Sequence, residues 1–121
     1  SNAKKVTKAK KIDGEVYNVV DKMPEYKGGM DALMSYLSSN ITYPEAAKND
    51  KIEGKVFVSY VINEQGKVTQ VKVERGVNKL LDDEAIRVVK KIPDWIPGEH
   101  QGKKVKVKMN LPISFKLDDK K

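Results

Sequence analysis

The residue types that most often carry chemistry in proteins are sparse in this chain. Cysteine is absent, so neither a disulfide nor a thiolate metal site can form. The one histidine, His100, lies in the polar stretch 99–102, which is predicted to be an exposed loop. No second histidine and no Ser/Asp spacing accompanies it, so a metal cluster or a catalytic triad is unsupported. We predict no metal, no cofactor and no catalytic residue.

Two further clusters have structural explanations. Asp82, Asp83 and Glu84 stand where a helix is predicted to start, and acidic side chains there complement the helix dipole. Asp82 is the best candidate for the N-cap, although Asn78 serves if the helix is slightly longer. Gly28-Gly29 lacks the spacing of a phosphate-binding loop. The chain is therefore predicted not to be an enzyme.

Lysines alternate with apolar residues near the end of the chain, over residues 103–117. From residue 105 on, the odd positions are apolar and most even positions are polar, which is typical of a strand with one face on a core. Pro112 interrupts the polar register, and proline is excluded from the middle of a sheet. We therefore predict an edge strand, whose lysines protect it from unwanted pairing and whose backbone can pair with a chosen partner.

Composition indicates one domain with a basic N-terminal stretch. The 121 residues carry a net charge of +7, but residues 1–11 hold five lysines and no acid. Residues 12–117 hold 17 basic and 15 acidic residues, so the charge is not that of a nucleic-acid-binding face. Arginine is scarce and no aromatic residues alternate with the lysines, so no nucleic-acid partner is predicted. The opening Ser-Asn-Ala is interpreted as a remnant of tag cleavage.

The remaining patterns predict the elements that hold this strand. Met30, Leu33, Met34 and Leu37 recur at helical spacing and are predicted to face the core. A short helix follows Tyr43-Pro44, residues 55–62 read as a central strand, and residues 63–66 form a hairpin loop. A partner strand with a bulge between Val68 and Val71, a second amphipathic helix ending before Pro93, and a buried Trp95 complete the order.

This order predicts an α+β fold with a split β-α-β arrangement. A three-stranded antiparallel/mixed sheet carries two helices, and a strand-helix extension precedes them. The last strand is expected beside the first, parallel to the second. The boundaries are predicted as 1–11 for the tag remnant and basic linker, 12–42 for the extension, 43–117 for the domain and 118–121 for the tail.

Seven motifs in this order resemble the TonB C-terminal domain family, and they cover residues 43–117. Met23-Pro24-Glu25-Tyr26 with Gly28-Gly29 also resembles the extension that precedes this domain in one subgroup. The motifs are Tyr43-Pro44, Ile52-x-Gly54-x-Val56-x-Val58-x-Tyr60-x-Ile62, Gly66-x-Val68-x-x-Val71-x-Val73, Leu81-Asp82-x-Glu84-Ala85, Pro93-x-Trp95-x-Pro97-Gly98, Gly102-x-x-Val105-x-Val107 and Leu111-Pro112-Ile113-x-Phe115.

The resemblance implies the periplasmic, receptor-binding end of an energy transducer for nutrient uptake. It implies an anchor in the inner membrane and contact with a motor complex there, both through a region upstream of Lys4. The expected partner is a short segment of an outer-membrane receptor that adds as a β-strand. The alternative is a sensor or scaffold module of a membrane-anchored signalling protein, with a different protein partner.

The residues themselves predict where that strand adds. A partner peptide is expected along the strand upstream of Pro112, where the lysine side chains favour acidic residues. A homodimer through exchange of strands is a further outcome that the sequence leaves open. The predicted partner-binding residues are Lys104, Val105, Lys106, Val107, Lys108, Met109, Asn110 and Leu111.

Overall fold

The computed structural model describes residues 10–13 and 15–118 and contains three helices and eight strands within them. The tag remnant and most of the basic linker lie outside the described residues. The helices are α1 (Gly29–Asn40), α2 (Glu45–Asn49) and α3 (Lys79–Lys90). The strands are β1 (Lys10–Asp13), β2 (Val16–Val19), β3 (Glu25–Tyr26), β4 (Gly54–Ile62), β5 (Val68–Arg75), β6 (Trp95–Ile96), β7 (Gly98–His100) and β8 (Lys103–Phe115).

The main sheet has the strand order β1-β2-β8-β4-β5, and β7 pairs with the start of β8. β4 is antiparallel to both β5 and β8, so β8 lies beside β4 and runs parallel to β5. β3 and β6 form a separate two-stranded sheet. The predicted α+β class and the arrangement of the three long strands are confirmed, with β4 central among them.

The prediction that the last strand is an edge strand is wrong for its first half. β2, from the N-terminal extension, pairs with β8 in parallel at Lys106 and Val107. The strand that was predicted in the extension is therefore part of the main sheet. Alternation reveals which face of a strand is buried, but it does not reveal which strand lies beside it. The neighbour is decided by where the extension folds back.

The core lies between the helices and one face of the sheet. Side chains at odd positions of β8 meet those at even positions of β4, as in the pairs Leu111 with Val58 and Ile113 with Val56. Leu81, Ala85, Val88 and Val89 of α3 are buried against them. Trp95 is 7% exposed, so its predicted burial is confirmed. No described helix has the length and apolarity needed to cross a membrane.

Local geometry confirms a predicted hairpin loop and a predicted bulge, and it corrects a helix cap. Gly66 has φ 82° in the loop between β4 and β5, and Gln70 has φ 50° where the register of β5 slips. The N-cap of α3 is Asn78, whose side chain accepts from Leu81 N–H at 3.0 Å, and not Asp82. Asp82 lies one turn inside the helix and accepts from Val77 N–H at 2.9 Å.

Candidate partner-binding edge

The eight residues predicted to bind a partner lie in a row on β8, but half of them pair with strands other than β4. β7 pairs with Lys104 and Val105, and β2 pairs with Lys106 and Val107. Within the described part of the chain, residues 108–111 have β4 as their one partner strand. We call the backbone edge of residues 108–111 that is turned away from β4 the open edge.

The position of Pro112 indicates which backbone groups the open edge presents. Pro112 lies opposite Phe57 of β4, and it has no N–H to donate. A proline inside a strand places its nitrogen on an unpaired edge, and successive residues direct their N–H and C=O groups to opposite edges. The N–H and C=O groups of Lys108 and Asn110 therefore face away from β4, and those of Met109 and Leu111 face β4. The Lys108 N–H already donates to Tyr17 of β2, so the open edge presents the Lys108 C=O and both groups of Asn110.

Lys106, on the polar face of β8, is held by two carboxylates. Its Nζ lies 3.1 Å from Glu64 and 3.5 Å from Glu15. The hydrogen bond to Glu64 raises the pKa of Lys106 above its usual range. Glu15 immediately precedes β2, so an acidic side chain of the extension already occupies the place predicted for an acidic partner residue.

Lys108 is also engaged on that face, whereas Lys104 is not. Lys108 Nζ lies 3.3 Å from Glu74, whose carboxylate also accepts from the buried Ser59 hydroxyl at 2.7 Å. These two hydrogen bonds, that from Ser59 being the larger influence, hold the pKa of Glu74 below its usual range. Lys104 is exposed and forms no ion pair with a described residue. Attraction of an acidic partner therefore falls first to Lys104.

A concave surface of about 410 Å³ lies on this polar face, between β2, β8, β4 and β5. Val16, Asn18, Ser59, Lys108 and Asn110 contribute to it. The Ser59 hydroxyl donates to a carboxylate that two lysines flank, which leaves no activated nucleophile. Among the described residues, no three metal-ligating side chains converge.

The opposite face of the open edge is bordered by α1, and its methionines were misassigned by sequence pattern. Leu33 and Leu37 are buried at 1% and 7% exposure, as predicted. Met30 and Met34 are 63% and 42% exposed, so they do not belong to the core. The apolar stripe of α1 is therefore wider than the surface that the helix buries. The sequence did offer one signal of this, because the two exposed positions carry methionine and the two buried ones leucine.

Two cavities separate α1 from β8 beside the open edge. One of about 220 Å³ is lined by Met30 and Leu33 on the helix, by Met109 and Leu111 on the strand, and by the stretch 24–26 of the extension, which includes Glu25. The other, of about 310 Å³, lies between Met34, Leu37 and Ile41 and the stretch Pro112–Ser114 of β8, and no charged side chain lines it. We call the two cavities together the α1–β8 groove.

The extension is fastened to the sheet beyond β2. Lys22 and Glu99 exchange two backbone hydrogen bonds, of 3.0 and 2.9 Å. His100 Nδ1 lies 3.3 Å from Asp21, and the His100 ring lies 5.8 Å from that of Tyr17. His100 is therefore a half-buried residue of β7 rather than the exposed loop residue that was predicted. Its contacts position the extension.

The far edge of the sheet, formed by β5, is poorly suited to strand addition. Its register with β4 slips twice, between Phe57 and Val58 and between Ser59 and Val61. Bulges of this kind leave an irregular row of donors and acceptors, which discourages pairing by another chain. The open edge of β8 is the better candidate.

Comparison with known proteins matches most of the sheet and both later helices. The family described as Gram-negative bacterial TonB protein C-terminal matches residues 39–117. This range begins at the end of α1 and includes α2, β4, β5, α3 and all of β8. Residues 10–38, which include β2 and most of α1, precede it.

Curated relatives and solved structures agree with that match. The TonB proteins of two Helicobacter pylori strains are 30% identical over 88 residues, which is 72% of this chain and 30% of each relative. The chain therefore spans about a third of their length. Two solution structures of the Helicobacter pylori TonB C-terminal domain are 28% identical, with TM-scores of 0.57 and 0.58. They cover 73% and 75% of this chain, and the alignment covers 79% and 96% of their own.

Proposed function

The chain belongs to the TonB C-terminal family, and on that premise we propose that it is the receptor-binding domain of a TonB-like energy transducer. In TonB proteins this domain is periplasmic, and the family interacts with outer-membrane receptors. We propose the same compartment and the same class of partner here. The observation that carries the proposal is the open edge, because it offers unpaired backbone on a strand inside the region that matches the family.

The proposed mechanism is addition of a receptor segment as a strand on β8. The Lys108 C=O and the N–H and C=O groups of Asn110 supply the first hydrogen bonds, and backbone pairing of this kind gives affinity without special side chains. β2 supports the mechanism, since it shows that this side of β8 accepts a parallel strand. Lys106 and Val107 join this site only when β2 leaves them.

The remaining parts of the transducer are proposed for a region upstream of Lys4. A membrane anchor there ties the domain to the inner membrane, and the same region engages the motor complex that supplies energy. Force would then reach the receptor through β8, which is joined to β4 along residues 107–115. A long antiparallel ladder loaded along its strands shares the load among many hydrogen bonds, which favours this strand as the point of attachment.

A proline substitution tests strand addition directly. Asn110→Pro removes an N–H that faces the open edge and leaves the bonds to β4 in place, whereas Asn110→Ala keeps that N–H. We expect Asn110→Pro to weaken binding of a synthetic N-terminal receptor segment by about tenfold, because one or two hydrogen bonds are lost. Asn110→Ala should bind like the parent chain. Affinity is measured by calorimetry and the site by amide shifts in ¹⁵N-labelled protein.

The titration also has a clear contrary outcome. Shifts in residues 104–111 together with the tenfold loss support strand addition. Equal binding by the two Asn110 variants, or shifts confined to the α3 face or to β5, contradicts it. Urea unfolding of both variants confirms that the sheet is intact before binding is compared.

A further inference from the structure

The exposed methionines of α1 have no role in the core and lie beside the open edge. Met30 and Met34 are one helical turn apart, and both remain largely in solvent although Leu33 and Leu37 of the same helix are buried. Methionine has a flexible and polarisable side chain that adapts to different apolar partners, and it is over-used at binding surfaces for that reason. A pair of exposed methionines beside an unpaired strand therefore indicates a contact surface.

The α1–β8 groove restricts what can contact these methionines. Its strand side carries the open edge, so the occupant must be extended to satisfy those N–H and C=O groups. Side chains of an added strand alternate between the two faces of the sheet. Every second side chain of the occupant would thus point to the helix side, where Met109 and Leu111 lie beneath it.

The lining of the groove decides the chemistry of those side chains. The larger cavity is lined by apolar side chains and two serines, with no charge to neutralise. A charged side chain entering it would lose water without gaining a partner, whereas an apolar side chain would bury its own surface and that of Met34. Pro112 and Ser114 border the cavity, so it continues directly from the open edge.

We propose that Met30 and Met34 form a second wall of the receptor site and select an extended segment whose alternate, helix-facing side chains are apolar. This inference rests on the proposed function, because the segment is the same one that adds to β8. It assigns a binding role to α1, most of which lies before the region that matches the family. Affinity is then set by the apolar contacts with α1 as well as by the backbone pairing on β8.

A double-mutant design separates this wall from the edge itself. The double substitution Met30→Gln and Met34→Gln makes both side chains polar at similar length, and exposed positions tolerate such changes. Leu80→Gln is the matched control, because Leu80 is 40% exposed on α3. The probes are the synthetic receptor segment and a copy in which its helix-facing apolar residues are replaced by serine.

The expected result is a loss that depends on the probe. The double variant should bind the receptor segment about fivefold more weakly, since apolar surface stays in water. It should bind the serine copy as well as the parent chain does, and Leu80→Gln should change neither affinity. In methyl-labelled protein, the Met30 and Met34 signals should shift on binding while the Met23 signal, whose residue lies outside the groove, stays in place.

The outcomes distinguish the two proposals. Amide shifts at residues 108–111 with unchanged affinity of the double variant overturn the methionine wall and leave strand addition standing. No shift at residues 108–111 overturns strand addition, and the wall with it. A fivefold loss for both probes also overturns the wall, because it indicates an indirect effect of α1 on the fold rather than contact with apolar side chains.

Discussion

Glu84 shows how much one side chain can organise in this protein. Its carboxylate accepts from Thr42 N–H at 2.7 Å and from the Arg87 guanidinium at 2.7 and 2.8 Å. Arg87 also donates to the Asn40 carbonyl at 2.9 Å, so α3 is tied to the segment between α1 and α2. Burial raises the pKa of Glu84, but the hydrogen bonds outweigh burial and hold the pKa below 4.5.

A pH series tests this role of Glu84. Because its pKa is lower in the folded state, its contribution is present above about pH 4.5 and is lost as pH falls through the folded pKa. Glu84→Gln should cost about 1 kcal/mol at pH 7, and the difference from the parent should shrink as the pH falls below 4.5. Urea unfolding at each pH measures it. The control is Asp83→Asn, which removes an exposed ion pair with Lys79 and should cost almost nothing. If the free energy of unfolding differs between Glu84→Gln and the parent by the same amount at every pH, this role of Glu84 is contradicted.

Trp95 is the residue on which the corner between α3 and the sheet depends. Its ring lies 5.5 Å from that of Tyr26 and 5.8 Å from that of Tyr60. Trp95→Ala should lower the free energy of unfolding by about 3–5 kcal/mol, since a large buried ring leaves a cavity. Trp95→Phe is the control and should cost less. A fluorescence spectrum of the folded parent chain that matches solvated tryptophan would contradict this packing.

At the scale of elements, β2 decides how much of β8 is available. It pairs with β8 at two positions, whereas β4 pairs along all of residues 107–115. Val16, at 7% exposure, is the buried side chain of this short strand, and Val19 is 38% exposed. Short pairing with few buried side chains opens at low free energy. β2 is thus the element expected to yield to a partner.

Weakening β2 should therefore strengthen binding. Val16→Ser removes apolar burial from β2, and we expect faster hydrogen exchange at residues 16–19 with unchanged protection in β4. The receptor segment should bind about threefold more tightly, because displacing β2 then costs less of the binding free energy. Val19→Ser is the control and should change neither quantity. Weaker binding by Val16→Ser would indicate that β2 forms part of the site.

At the scale of the whole molecule, the open edge is backbone of a central strand that no described strand other than β4 pairs with. β5 is bulged, and β2 covers β8 at Lys106 and Val107, so beyond β2 an added strand can pair along residues 108–111. Confinement of this kind limits unspecific association through strand edges. Two copies that exchanged strands would compete for the same residues as a receptor, so the proposed homodimer and the proposed receptor complex exclude each other at this edge.

The elements were predictable from sequence because local chemistry determines them. Alternation in residues 103–117 identified β8 and its buried face, the doubly apolar residues 55–62 identified β4 as central, and Gly66 marked the hairpin. These patterns follow from side-chain periodicity and backbone freedom, which act over a few residues. The fold class followed from their order.

Contacts between distant segments were decided only by the tertiary structure. Whether β8 has a second neighbour besides β4 depends on where residues 16–19 pair. Whether Met30 contacts the core depends on how α1 packs on the sheet. Lys106 looked free for an acidic partner, yet Glu15 and Glu64 hold it. Periodicity reports that a face is apolar or charged, but pairing energies arise between residues far apart in sequence, and no local pattern encodes which of them meet.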